Sequence, residues 1–204
     1  MSIDAEKAFE RSVDSVEKIY AVVIAFAISQ SIQSLLKAPG GATELNLEGI
    51  SSGLPAFVAF LFTLVPFWHG MNRHLDRCYL ERDPSEVVQG ALLFDFCVFF
   101  LETILLFAAG WSLRSGIGSF GYLGALLVVD MLWGYASHQI HFRGKDSHIG
   151  RWSAINVVAL FVAVLIVAFP FQQKVWVLMA LAVLRSIVDY WRCWDFYFPT
   201  PVSH

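Results

Sequence analysis

Apolar residues in this chain come in six blocks, at about residues 19–37, 54–74, 90–112, 117–139, 152–170 and 174–194. Each block holds about the twenty residues that a helix rising roughly 1.5 Å per residue needs to cross a hydrocarbon layer. Backbone amides find no water inside that layer, so every block is predicted to be helical. Short turn-forming segments separate the blocks: Ala38-Pro39-Gly40-Gly41, Arg82-Asp83-Pro84-Ser85, Arg114-Ser115-Gly116 and Arg143-Gly144-Lys145-Asp146. Ser85 and Ser153 are candidate N-caps for the helices that follow them. The predicted fold class is an all-α polytopic membrane protein, a bundle of six transmembrane helices.

Residues 1–18 have a different pattern. Ala5, Phe9, Val13, Val16 and Tyr20 recur at helical spacing among charged residues, and Asp14 precedes Lys18 by one turn. This predicts a cytoplasmic amphipathic extension over 1–18, a transmembrane domain over 19–194 and a cytoplasmic tail over 195–204. The first twenty residues lack the leading apolar core of a cleavable signal peptide.

Basic residues alternate in number from one connection to the next. Lys7, Arg11 and Lys18 precede the first block; Arg73, Arg77 and Arg82 follow the second; Arg143, Lys145 and Arg151 follow the fourth. The connections between carry one each: Lys37, Arg114 and Lys174. The positive-inside rule then places the N-terminus in the cytoplasm, and an even number of crossings returns the C-terminus there.

Of the 204 residues, 57% are hydrophobic and 15% charged, against about a quarter charged in a soluble domain. A net charge of −3 without a basic run gives no reason to expect nucleic acid as a partner; the lipid bilayer is the expected one. Cys78, Cys97 and Cys193 are expected as reduced thiols. No cofactor is expected: no block carries a central lysine for a Schiff base, no phosphate-binding glycine loop occurs, and there is no GxSxG elbow.

Ionisable groups within the blocks are the best functional clue, since each costs about 2.5–3.5 kcal/mol even on the lenient insertion scale. His69, Arg73 and Asp76 share one face of the second block, and Asp95 and Glu102 one face of the third. Asp130, Gly134, Ser137 and His141 form a stripe on the fourth, and Arg185, Asp189 and Arg192 one on the sixth. His69, Asp95, Asp130 and Asp189 fall in one layer near the cytoplasmic ends. A polar network is expected there, with Arg185 pairing Asp189 within its own helix. Glu102 lies deeper without an evident cation, which predicts a protonated carboxyl or a water-filled path.

Three functions are compatible with these residues. One is cation permeation through an oligomeric pore lined by the first helix, with Val22, Val23, Ala27, Gln30, Ser31, Gln33 and Ser34 as pore candidates. In that reading the small residues Ala27, Ser31 and Ser34 permit close approach of copies. The second is a non-conducting accessory or signalling subunit with an unidentified protein partner. The third is a metal-dependent intramembrane enzyme using some of His69, His74, Asp76, Cys78, His138, His141 and His148, although their spacing matches no strong zinc motif.

Phe67-Trp68 followed by Asn72-Arg73-His74, together with the apolar run Ile19-Tyr20-Ala21-Val22-Val23-Ile24, resembles the short bacterial relatives of the lysosomal potassium channel. Asn72 stands where that family has a histidine, and Val16-Glu17-Lys18 where it has Phe-Ser-Asp. The resemblance implies six helices, a cytoplasmic N-terminus, a homotetramer in a bacterial inner membrane, and a potassium pore along the first helix with its constriction at Val22 and Val23.

Overall fold

A computed structural model describes residues 3–36, 47–82, 87–88, 90–142, 148–170 and 172–199. Lys37, the Ala38–Gly41 turn, the candidate cap Ser85, Arg143, Lys145 and the tail beyond 199 lie outside the described residues.

The chain is all-α. Helix α1 spans Ile3–Leu36, α2 Leu47–Leu75, α3 Ala91–Trp111, α4 Ile117–Ser137, α5 His148–Ala168, α6 Lys174–Arg192, and a short α7 Trp194–Tyr197. Two π-helical turns extend α2 and α4, at Asp76–Leu80 and His138–Phe142. Among the described residues, five helices are long and apolar enough to cross a membrane: Lys7–Leu36, Ile50–Leu80, Ala91–Trp111, Ile117–Phe142 and Ile149–Ala168. The sixth predicted block is α6, which falls short of that standard. Every 18-residue stretch of it includes three of Lys174, Arg185, Asp189 and Arg192. Ser153 is no cap, because α5 begins more than a turn earlier, at His148.

Side-chain contacts give the helix directions. Tyr20 reaches Phe96 and Ser34 reaches Trp111, so α1 and α3 run the same way. Ser119 meets Ala109 while Trp133 meets Asp95, so α4 runs against α3. Asn156 faces Asp130 and Gly124 faces Leu160, reversing α5 against α4. Arg151 meets Arg192 and Asn156 meets Arg185, reversing α6 against α5. Consecutive helices thus alternate in direction. The end where α1, α3 and α5 begin is called the proximal end below.

Glycines set the closest approaches. A Cβ on Gly110 would stand 3.1 Å from both the Ala27 carbonyl and the Ser31 Cβ, so α1 and α3 pack backbone to backbone. Gly134 admits the Trp152 ring in the same way, with a Cβ only 2.8 Å from it. Proline supplies another contact. Pro66 within α2 has no N–H to give the Phe62 carbonyl, and the Ser186 hydroxyl of α6 donates to that oxygen. The core divides into an aliphatic distal half, with Leu64, Leu106 and Leu126, and an aromatic proximal half, with Tyr20, Phe99 and Trp133.

Candidate functional site

The proximal half encloses a polar cluster centred on Asp95, in the second turn of α3 and fully buried. Two of its partners, His74 and Trp133, lie in α2 and α4, and the other two lie in the π turns that follow them. The π turn after α2 brings Cys78 and Tyr79 inward, and the one after α4 does the same for His141 and Phe142. Such turns are rare and concentrate at functional sites. The Tyr79 hydroxyl donates to Asp95 Oδ2 at 2.6 Å, and Trp133 Nε1 donates to Oδ1 at 2.8 Å. His74 Nε2 lies 3.1 Å and His141 Nε2 3.4 Å from Oδ2. His74 packs edge-on to Trp133, with ring centroids 4.6 Å apart, and Arg77 and Arg82 lie over the Phe142 ring at 5.7 and 5.5 Å. Two imidazoles, a phenol and an indole converge on one carboxyl group. Such convergence is what an acceptor removed from water requires.

A second group lies deeper. Arg185 donates through Nε and Nη2 to the Asn156 side-chain oxygen at 2.9 and 2.7 Å, and the Asn156 amide reaches Asp130 Oδ2 at 3.4 Å. The expected Arg185–Asp189 ion pair does not form: among the described residues Arg185 lies within 4.0 Å of no carboxylate. Asn156 takes up two of its donors, Nη1 has no hydrogen-bond partner, and Asp189 Oδ2 accepts from the Tyr197 hydroxyl at 2.8 Å. Glu102 is fully buried, and among the described residues neither of its carboxyl oxygens has a hydrogen-bond partner. A cavity of about 40 Å³ lies between the two groups, lined by His74, Asp130, Trp133, Arg185 and Tyr197 among others. That is space for about one or two water molecules.

Past the end of α6, burial and then the Asp189 charge push the Cys193 thiol up to about 11 and raise the Tyr197 phenol as well. Both stay protonated at neutral pH, so Tyr197 is a standing donor to Asp189.

The other predicted residues are placed as follows. His69 Nδ1 lies 3.2 Å from the Tyr190 hydroxyl and stacks near Tyr197, away from Asp95. Arg73 pairs with Asp76 at 3.0 Å and Glu81 at 2.9 Å, and its Nε donates to the Phe196 carbonyl, fastening α7 to α2. Trp68 is exposed, Asn72 half-buried and His74 buried. On α1, Ala27 and Ser31 are fully buried against α3, and the Ser34 hydroxyl donates to the Trp111 carbonyl. The small stripe predicted to bring copies together is therefore occupied within one chain. Val22 and Gln33 are exposed, and Val23 and Gln30 half-buried.

Sequence reading did not single out Tyr79, Trp133, Asn156 or Tyr197 as site residues. Asn156 alone carried a usable signal, as the one polar residue between Ile155 and Ala168.

No family model, curated protein or solved structure matches this chain. Its helices define a polytopic helical membrane protein.

Proposed function

We propose that the protein moves a cation across a membrane through its own polar interior, with six crossings and both termini in the cytoplasm. One observation carries this reading. Asp95, Glu102, Asp130 and Asp189 are each at most 5% exposed, and their one buried guanidinium companion, Arg185, makes no ion pair among the described residues. A scaffold that tolerated charge in hydrocarbon would neutralise it by direct pairing. Here acidic groups outnumber the guanidinium, and three carboxyl oxygens, both of Glu102 and Oδ1 of Asp189, have no hydrogen-bond partner among the described residues. An acidic, partly unsatisfied interior attracts cations or protons and repels anions.

The direction of α6 supports a sixth crossing. Its charged Arg185 and Asp189 turn inward, while Leu184, Ile187 and Trp191 are exposed. Trp176 and Trp191, both exposed, stand fifteen residues apart, which is about 22 Å along a helix and suits anchors at the two interfaces. The resemblance to potassium-channel relatives makes potassium the first ion to try, and a second copy would meet α1 through Val22, Phe26 and Gln33 rather than Ala27 and Ser31. Reconstituted vesicles carrying an internal cation- or pH-sensitive dye test the proposal. Protein-dependent cation entry without anion entry is expected; vesicles as tight as protein-free ones would refute it.

A further inference from the structure

Beside the Asp95 carboxyl group the cluster holds three residues with metal-ligating atoms, His74, Cys78 and His141. Asp95 is the acceptor for Tyr79 and Trp133, and both imidazoles turn Nε2 toward the same carboxyl group. With the Nε2 protons directed there, Nδ1 of each ring is the acceptor nitrogen. His74 Nδ1 lies 3.7 Å from the Cys78 sulfur, and His141 Nδ1 is buried without a hydrogen-bond partner. One donor atom each from His74, Cys78 and His141 lies within 4.8 Å of the other two. All three residues are buried, so no competing water shell holds these atoms apart.

We infer that His74, Cys78 and His141 bind a single zinc-class divalent ion. Two imidazoles and a thiolate suit zinc by softness and geometry. Zinc–nitrogen bonds of about 2.0–2.1 Å and zinc–sulfur bonds of about 2.3 Å put tetrahedral ligands roughly 3.4–3.6 Å apart. The His74–Cys78 separation of 3.7 Å is already at that spacing. The His141 ligand atom, within 4.8 Å of the other two, closes by at most about 1.4 Å, within reach of a side chain carried on a π turn. Asp95 then holds both ligand rings through their remaining N–H groups, the carboxylate–histidine–metal arrangement that fixes tautomer and ring orientation. On binding, the metal replaces the Cys78 thiol proton, which leaves to bulk solvent, and a water molecule or one further ligand completes the fourth position.

The two π turns meet at this point, where the Tyr79 and His141 rings lie 5.4 Å apart. The site is independent of ion conduction: metal binding is measured without a membrane potential or flux, so either proposal can fail alone.

The test uses the purified full-length chain in detergent, stripped with chelator and titrated with cobalt(II). About one ion per chain is expected, with a sulfur-to-cobalt charge-transfer band that zinc abolishes by displacement. Zinc should also protect Cys78, but not Cys97, from alkylation read by mass spectrometry. The charge-transfer band should vanish in Cys78→Ser and persist in Cys97→Ser, and Asp95→Asn should weaken binding by roughly 10–100-fold. The cobalt titration of the wild-type chain needs no substitution, so it decides the matter even where Cys78→Ser fails to fold. A folded wild-type chain without the band would overturn the site.

Discussion

Asp95→Asn keeps the side-chain shape and removes the charge on which four donors converge. The loss can be worked from the contacts. An amide offers one oxygen and one NH₂, whereas Asp95 uses Oδ1 for Trp133 at 2.8 Å and Oδ2 for Tyr79 at 2.6 Å and His74 at 3.1 Å. The less costly orientation keeps oxygen toward Tyr79 and His74 and turns NH₂ against the indole N–H. One hydrogen bond to a charged acceptor is lost, worth about 1.5–3 kcal/mol, and buried donors are left facing each other, at about 1–3 kcal/mol. A destabilisation of about 3 kcal/mol corresponds to a Tm lowered by roughly 6–12 °C in a chain of this length. Size-exclusion recovery after heating, in one detergent, measures it. Trp133→Phe made in both backgrounds separates the bond from the packing of the indole. Its penalty should be smaller in the Asp95→Asn background by about 1–3 kcal/mol. An Asp95→Asn protein melting within about 2 °C of wild type, or strictly additive penalties, would refute the reasoning.

Three further outcomes follow from other contacts. Gly110→Ala places a methyl group 3.1 Å from the Ala27 carbonyl and should lower Tm, whereas Gly121→Ala, with nothing within 4 Å of its Cβ, should leave Tm unchanged in the same heating assay. Cysteine introduced at Gln33, which is exposed, should cross-link in membranes if copies meet along α1, while cysteine at Ser31, fully buried against α3, should stay monomeric on the same gel. With its thiol pushed up to about 11, Cys193 should be alkylated about a hundredfold more slowly at pH 8 than in the denatured chain, as read by mass spectrometry. The same shift means that the unfolded chain loses this proton first, so its contribution to stability is present below about pH 9 and declines as pH rises toward about 11.

Hydropathy and length were enough to read five of the helices, because hydrocarbon admits few alternatives to an apolar helix of about twenty residues. The same reading gave α6 as a sixth block. Hydropathy averages over the whole circumference, so inward charges such as Arg185 and Asp189 count against a helix whose outer face is apolar. Periodicity also put Asp95 and Glu102 on one buried face. The partners of those groups were not legible. Asp95 meets Tyr79, Trp133 and His141, which are 16, 38 and 46 residues away, and Tyr79 and His141 lie in π turns that have no sequence signature. Arg185 illustrates the same limit: a helical pattern offers Asp189 one turn away, but the donors go to Asn156 of another helix. The small stripe on α1 was read as a place where copies approach; in the fold Ala27 and Ser31 pack against Gly110 of α3, a partner that only packing could reveal.

The central claim is that the unpaired buried carboxyls carry a cation, and Glu102 addresses it most directly, because neither of its oxygens has a hydrogen-bond partner to lose. Wild type and Glu102→Gln should be reconstituted at equal density, with cation flux and Tm measured side by side. The account predicts a Tm within about 2 °C of wild type together with at least a roughly tenfold loss of flux or a displaced pH dependence of that flux. Unchanged flux in a correctly folded Glu102→Gln protein would contradict it.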